Sequence, residues 1–134
     1  MEQKREKYYR GLFLFSAIYD LVLGVIFIFF FNQAFDLLKI GEKLPEFTGY
    51  ISLIGAFLFV IGIAYYFIYK GDLYKNADLI AIGTLYKLAY CAIAFFYYAT
   101  GNMPHIIFVA LFGVLDLIMF LLMLECLLYL KKTA

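Results

Sequence analysis

Apolar residues run along this chain in four blocks, at 12–31, 48–69, 77–99 and 104–129, with almost no charge inside them. Each is about 20 residues or longer, the length a helix needs to cross the hydrocarbon core of a bilayer at 1.5 Å per residue. Four such blocks joined by short connections predict an all-α polytopic membrane protein. The expected architecture is an antiparallel four-transmembrane-helix bundle, a single membrane domain over residues 1–134.

Composition agrees with this class, since 66% of the residues are hydrophobic and 22% aromatic, too much apolar surface for a soluble chain of this size. The expected surroundings are therefore the lipid bilayer. The formal net charge is only +1, and the basic residues sit at block ends instead of forming a stripe, so no nucleic-acid partner is expected.

Residues 1–10 carry Lys4, Arg5, Lys7 and Arg10 ahead of the first block. That block is too long for the apolar core of a secretory signal, and no small-x-small cleavage site follows it, so a retained helix is expected. With the N-terminus in the cytoplasm, the inner segments hold Lys4, Arg5, Lys7, Arg10, Lys70, Lys75, Lys131 and Lys132, against Lys39 and Lys43 outside. This imbalance predicts both termini in the cytoplasm and insertion in the cytoplasmic (inner) membrane. Tyr8, Tyr9, Tyr65, Tyr66, Tyr69, Tyr74 and Tyr129 would then lie near the inner interface and Tyr50, Tyr97 and Tyr98 near the outer one.

One connection, 32–47, is long enough to be a loop. Within it Phe35, Leu38 and Leu37 can share a helical face ahead of Gly41, which predicts a short interfacial helix on the outer surface, either spanning the top of the bundle or covering a cavity. The loop breaks at Pro45.

Function should be sought where charge enters the apolar blocks. Asp20, Lys87 and Asp116 each lie about midway along a different block, where a charge costs about 2.5–3.5 kcal/mol to insert and so faces a partner or a wet cavity. Counted from the inner helix ends, Asp20 lies about 14 Å deep, Lys87 about 15 Å and Asp116 about 15–20 Å. Helices in such bundles pack about 8–10 Å apart, so three inward-facing groups at one level can meet. Helical phase adds Ser16 and Gly24 to the face of Asp20, and Gly83, Thr84, Cys91 and Ala94 to the face of Lys87, with Tyr90 able to lean toward it. Ser16, Thr84 and Tyr90 join the trio as candidate ligand-binding or proton-exchange residues. The second block contributes no deep charge, and its Ser52, Gly55, Phe59, Gly62 and Tyr66 read as a small-residue stripe for packing or for a seam between copies, which would make the protein a homo-oligomer.

With every member ionised the trio carries one negative unit. One Lys–Asp pair with the second Asp able to hold a proton is the expected arrangement. The alternative is a buried salt-bridge network that only fixes the helices.

Outside the trio, His105 at the outer start of the fourth block reads as a solvated residue or the lining of an outer entrance. Glu125, on the opposite face from Asp116, reads as snorkelling to the inner boundary. Asp78 suits the start of the third helix. Cys91 and Cys126 differ in depth by roughly 15 Å, beyond disulfide reach, and one histidine cannot assemble a zinc, di-iron or bis-His haem site. No cofactor and no metal are expected, and no nucleotide or hydrolase motif occurs.

The stretches Tyr19-Asp20-x3-Gly24, Gly55-x6-Gly62-x2-Tyr65, Gly83-x3-Lys87 and Gly113-x2-Asp116 resemble those of the small four-helix bacterial membrane proteins grouped as DoxX-like. That resemblance spans the chain and implies a link to membrane redox complexes, without any catalytic residue to carry over. The paired carboxylates are also similar to those of sterol-isomerase and sigma-2-type bundles, from which the deep lysine departs. Three functions follow. The bundle binds or transports a small amphipathic or anionic ligand at the trio; it is an accessory subunit with a structural charged centre; or it performs acid–base chemistry on a lipid-like substrate.

Overall fold

A computed structural model describes all 134 residues and contains helices but no strands. Helix α1 (Gln3–Phe29) is followed by the short α2 (Phe31–Leu37), then α3 (Gly49–Lys70), α4 (Ala77–Ala99) and α5 (Ile106–Thr133). The helices α1, α3, α4 and α5 are long and apolar enough to cross a membrane, so the chain is an integral membrane protein built as a four-helix bundle. Both termini lie at one end, where Arg5 meets Glu125 and the Tyr74 hydroxyl meets that of Thr133. We call this the terminal end and the opposite one the loop end.

The first crossing begins earlier than the apolar block, at Gln3 rather than residue 12, because a helix continues through charged residues once its backbone is hydrogen-bonded. Its terminal-end turns are tied down by Arg10, which donates to Glu6 and to the carbonyls of Tyr69 and Gly71.

The closest packing in the bundle joins α1 to α3. A Cβ on Gly24 would stand 2.8 Å from the backbone nitrogen of Phe59, and one on Gly55 would stand 2.8 Å from the carbonyl oxygen of Gly24. Backbone atoms cannot yield, so only glycine lets the two helices approach this far. The face of α3 that turns inward is Ile51, Gly55, Leu58, Gly62, Tyr65 and Ile68, whereas Phe59 and Tyr66 face outward. The small-residue stripe is therefore consumed inside one chain, and the expected homo-oligomer loses the seam on which it rested.

The interfacial helix forms as α2. Phe35 turns inward onto Phe108, with ring centroids 5.7 Å apart, Leu38 is half-buried, and Leu37 points away from the bundle at 83% exposure. Gly41 does not end it. The left-handed residue is Lys39, φ 59°, and the amide of Ile40 closes the turn on the carbonyl of Phe35 at 2.9 Å, a closure normally made with glycine. Leu44 is extended ahead of Pro45, as a residue preceding proline must be.

The last crossing departs from uniform winding. Val109–Leu115 is a π-helix, with α-helical turns on either side. Two apolar groups fill the interior. One at the terminal end includes Tyr9, Phe13, Tyr65, Ile80 and Met123, and one at the loop end includes Phe27, Phe35, Leu58, Phe108 and Phe112. The charged residues lie between them.

Candidate functional site

Lys87, Asp20 and Asp116 converge as their common depth predicts. The Lys87 ammonium donates to both carboxylate oxygens of Asp20, at 3.1 and 3.0 Å, and to Oδ1 of Asp116 at 3.2 Å. All three side chains are buried, with at most 1% of their surface exposed. One ammonium is thus shared between two carboxylates. Asp20 is contacted through both oxygens and Asp116 through one.

Two tyrosines complete the enclosure. The Lys87 Nζ stands 5.0 Å from the Tyr19 ring centroid and 5.4 Å from that of Tyr65, within the range where a ring quadrupole attracts a cation. Each ring is anchored by its hydroxyl to a backbone carbonyl, Tyr19 to Leu111 at 2.7 Å and Tyr65 to Gly83 at 2.6 Å. Gly83 makes room for this, since a Cβ there would meet Tyr65 Cε1 at 2.6 Å. Tyr65 thus lies at the cluster and not at the inner interface, a correction to its reading as an anchor. Counting from the helix end placed it too shallow, because α3 packs its inward face down to Ile68. Both tyrosines stand in the glycine-and-charge stretches, and that adjacency was the one signal of their role.

The Leu111 carbonyl that receives Tyr19 belongs to the π-helical stretch, and Asp116 follows that stretch directly. In π winding each carbonyl pairs one residue farther along, which alters the phase of everything beyond it and leaves the carbonyls looser for side-chain donors. An α-helical count places His105 and Asp116 on one face; the π segment removes that relation. His105 instead caps α5, its Nδ1 accepting from the amide of Ile107 at 3.0 Å.

The other candidates use their polar atoms elsewhere. Ser16 donates to the Met119 sulfur at 3.2 Å, and Thr84 donates back to the Ile80 carbonyl of its own helix at 2.7 Å. Tyr90 packs on Tyr86, ring centroids 4.7 Å apart, and on Phe112 at 5.4 Å. The buried Tyr86 hydroxyl approaches that of Tyr90 without forming a well-aligned hydrogen bond.

None of the principal hollows is lined by Asp20, Lys87 or Asp116. An apolar hollow lies at the loop end, about 250 Å³, with Phe27, Phe35, Ile51, Tyr90, Ala94 and Phe108 among its walls. The wall from Phe35 makes α2 a cover of this cavity. Its flank is formed by Ile54 and Ile93, which are exposed on the outside of α3 and α4.

At the terminal end Glu125 is paired as well as near the boundary. It accepts from Arg5 at 2.7 Å and from the Tyr9 hydroxyl at 2.6 Å, while the Arg5 guanidinium lies 4.3 Å from the Tyr129 ring centroid. These partners come from opposite ends of the chain, so helical phase within α5 carried no trace of them. Cys91 and Cys126 are free thiols, and no three His, Cys, Asp or Glu side chains are grouped so as to hold a metal ion.

Compared with protein-family models, with curated proteins and with solved structures, the chain finds no match.

Proposed function

We propose that this chain is a membrane protein that takes the apolar part of a small amphipathic ligand into the loop-end hollow and couples its occupancy to a proton at Asp116. The observation that carries the reading is the juxtaposition of an apolar hollow with a closed charge cluster, joined through Tyr90. Tyr90 forms part of the wall and rests on Tyr86, which precedes Lys87 in α4 and whose buried hydroxyl approaches that of Tyr90.

Charge balance supports the proton. Lys87 neutralises one carboxylate, and two carboxylates surround it; a second positive charge or a proton must offset the other in a medium where an uncompensated ion is costly. Asp116, with one hydrogen bond from Lys87 against two for Asp20, is the member to hold it. Addition of a long-chain amphiphile to lightly buffered protein in non-ionic detergent should release or take up protons, read with a pH indicator. Asp116→Asn should abolish that change while the amphiphile still binds. Binding with no proton change in the unaltered chain would remove the coupling.

The complete burial of the trio favours a second reading, in which the cluster only locks the helices of an accessory subunit. A redox-complex association, implied by the DoxX-like resemblance, would suit it. In that case Asp116→Asn lowers stability and no amphiphile binds.

A further inference from the structure

The loop-end hollow has walls almost wholly of carbon. A sealed cavity of about 150 Å³ lined by Leu, Ile and Phe takes benzene; this hollow of about 250 Å³ is open on one side, and its carbon walls suit a hydrocarbon group entering from that side. It is smaller than the roughly 300–1,000 Å³ typical of ligand pockets, which suits one chain and not two. Ile54 and Ile93, 42% and 57% exposed, stand where the hollow meets the outside of α3 and α4, the surface that faces lipid.

The rim is polar. Met103 and Pro104 border the hollow and also a neighbouring surface dent lined by Lys43, Gly101 and Asn102. The Lys43 ammonium donates to the Pro104 carbonyl at 3.1 Å, and no carboxylate is within ion-pair distance of it. Two of its three hydrogens remain free. Gly101, at φ 75°, supplies the left-handed turn that carries the chain into this rim at no steric cost.

We propose that hollow and dent form one site for a single-chain amphiphile with an anionic head, its hydrocarbon chain between α3 and α4 and its head at Lys43 and Asn102. This rests on the ligand-binding reading above and adds the class of ligand and its direction. The reverse direction is unfavourable, because the inner wall offers an anionic head no cation, only the Tyr90 hydroxyl, and the Lys87 ammonium is already held by Asp20 and Asp116.

The test uses the full chain in non-ionic detergent with palmitate, hexadecyl phosphate, hexadecanol and a two-chain phosphatidylglycerol, affinity being read by titration calorimetry. Palmitate and hexadecyl phosphate should bind about two- to fivefold more tightly than hexadecanol, the worth of an exposed charge contact. The difference should vanish in about 1 M salt, where the Debye length is about 3 Å, and in Lys43→Gln. Whichever of the two anions binds tighter identifies the head as carboxylate or phosphate. Ile93→Trp, at an exposed position that leaves the core untouched, should abolish binding of all the single-chain probes. Equal binding of palmitate and hexadecanol to the unaltered chain overturns the head assignment and leaves the ligand-binding reading standing. Preference for the two-chain lipid overturns the single-chain assignment. No binding of any probe, or full binding by Ile93→Trp, overturns both.

Discussion

Lys87 is the residue on which the deep cluster depends, because it is the one cation in contact with both buried carboxyl groups. Replacing it with Met leaves both without a counter-charge. Breaking a buried pair from one side costs about 3–5 kcal/mol, so Lys87→Met should lower stability by that order, measured by unfolding in mixed micelles. Lys87→Met combined with Asp116→Asn should be less damaging than Lys87→Met alone, giving a coupling of about 0.5–3 kcal/mol in a double-mutant cycle. Additive losses for both carboxylates would show that the groups do not interact. At the tyrosine that walls the cluster, Gly83→Ala should destabilise more than Tyr65→Phe. The first forces a Cβ to 2.6 Å from a packed ring, an overpacking worth about 1–3 kcal/mol, while the second gives up one hydrogen bond of about 1 kcal/mol.

Two elements carry consequences of their own. The π stretch Val109–Leu115 holds one residue more than α winding would place there. Deleting Val114, which is exposed, should relax it to α-helix while Asp116 keeps its place beside Lys87. Deleting Leu121, equally exposed but within regular α-helix, rotates everything after it away from the core by about 100°. The Val114 deletion should therefore retain a cooperative unfolding transition and the Leu121 deletion should lose it; the same loss from both would refute the π assignment's role as spare winding. The α1–α3 seam gives a parallel test. Gly55→Val sets carbon against the Gly24 carbonyl and the Ile28 amide, both at 2.8 Å from the new Cβ, and should destabilise the monomer by more than about 3 kcal/mol. A change in association with folding intact would instead place the stripe between copies.

At the scale of the molecule, both termini share one end, and the excess of Lys and Arg at that end predicts that it faces the cytoplasm. Cysteines introduced near Asn102 should react with an impermeant reagent from outside cells and not from the cytoplasmic side of inverted vesicles. The reverse pattern would overturn the orientation. The end-to-end tie of Arg5, Tyr9 and Glu125 closes α1 onto α5 there, but the Arg5–Glu125 pair is half exposed and screened by water, so Glu125→Ala should lower stability far less than Lys87→Met in the same unfolding measurement.

Four crossings, their antiparallel order and the meeting of Asp20, Lys87 and Asp116 were all legible in the sequence, for one physical reason. A bilayer fixes helix length at about 20 residues and penalises buried charge, so apolar block length gives the crossings and depth alone gives the partners. What depth cannot give is rotation about each helix axis. Whether Phe59 or Leu58 faced inward, whether Tyr65 was an anchor or a wall, and where Ser16, Thr84 and Tyr90 directed their polar atoms depended on how the glycine faces of α1 and α3 meet. The π winding in α5 shifted phase with only Gly113 inside it, a residue that regular α-helix in a membrane also tolerates, and Glu125 found Arg5 across 120 residues of chain. The hollow under α2 arises from side chains of α1 to α5 that leave space between them, a property of the assembled bundle that no single segment encodes.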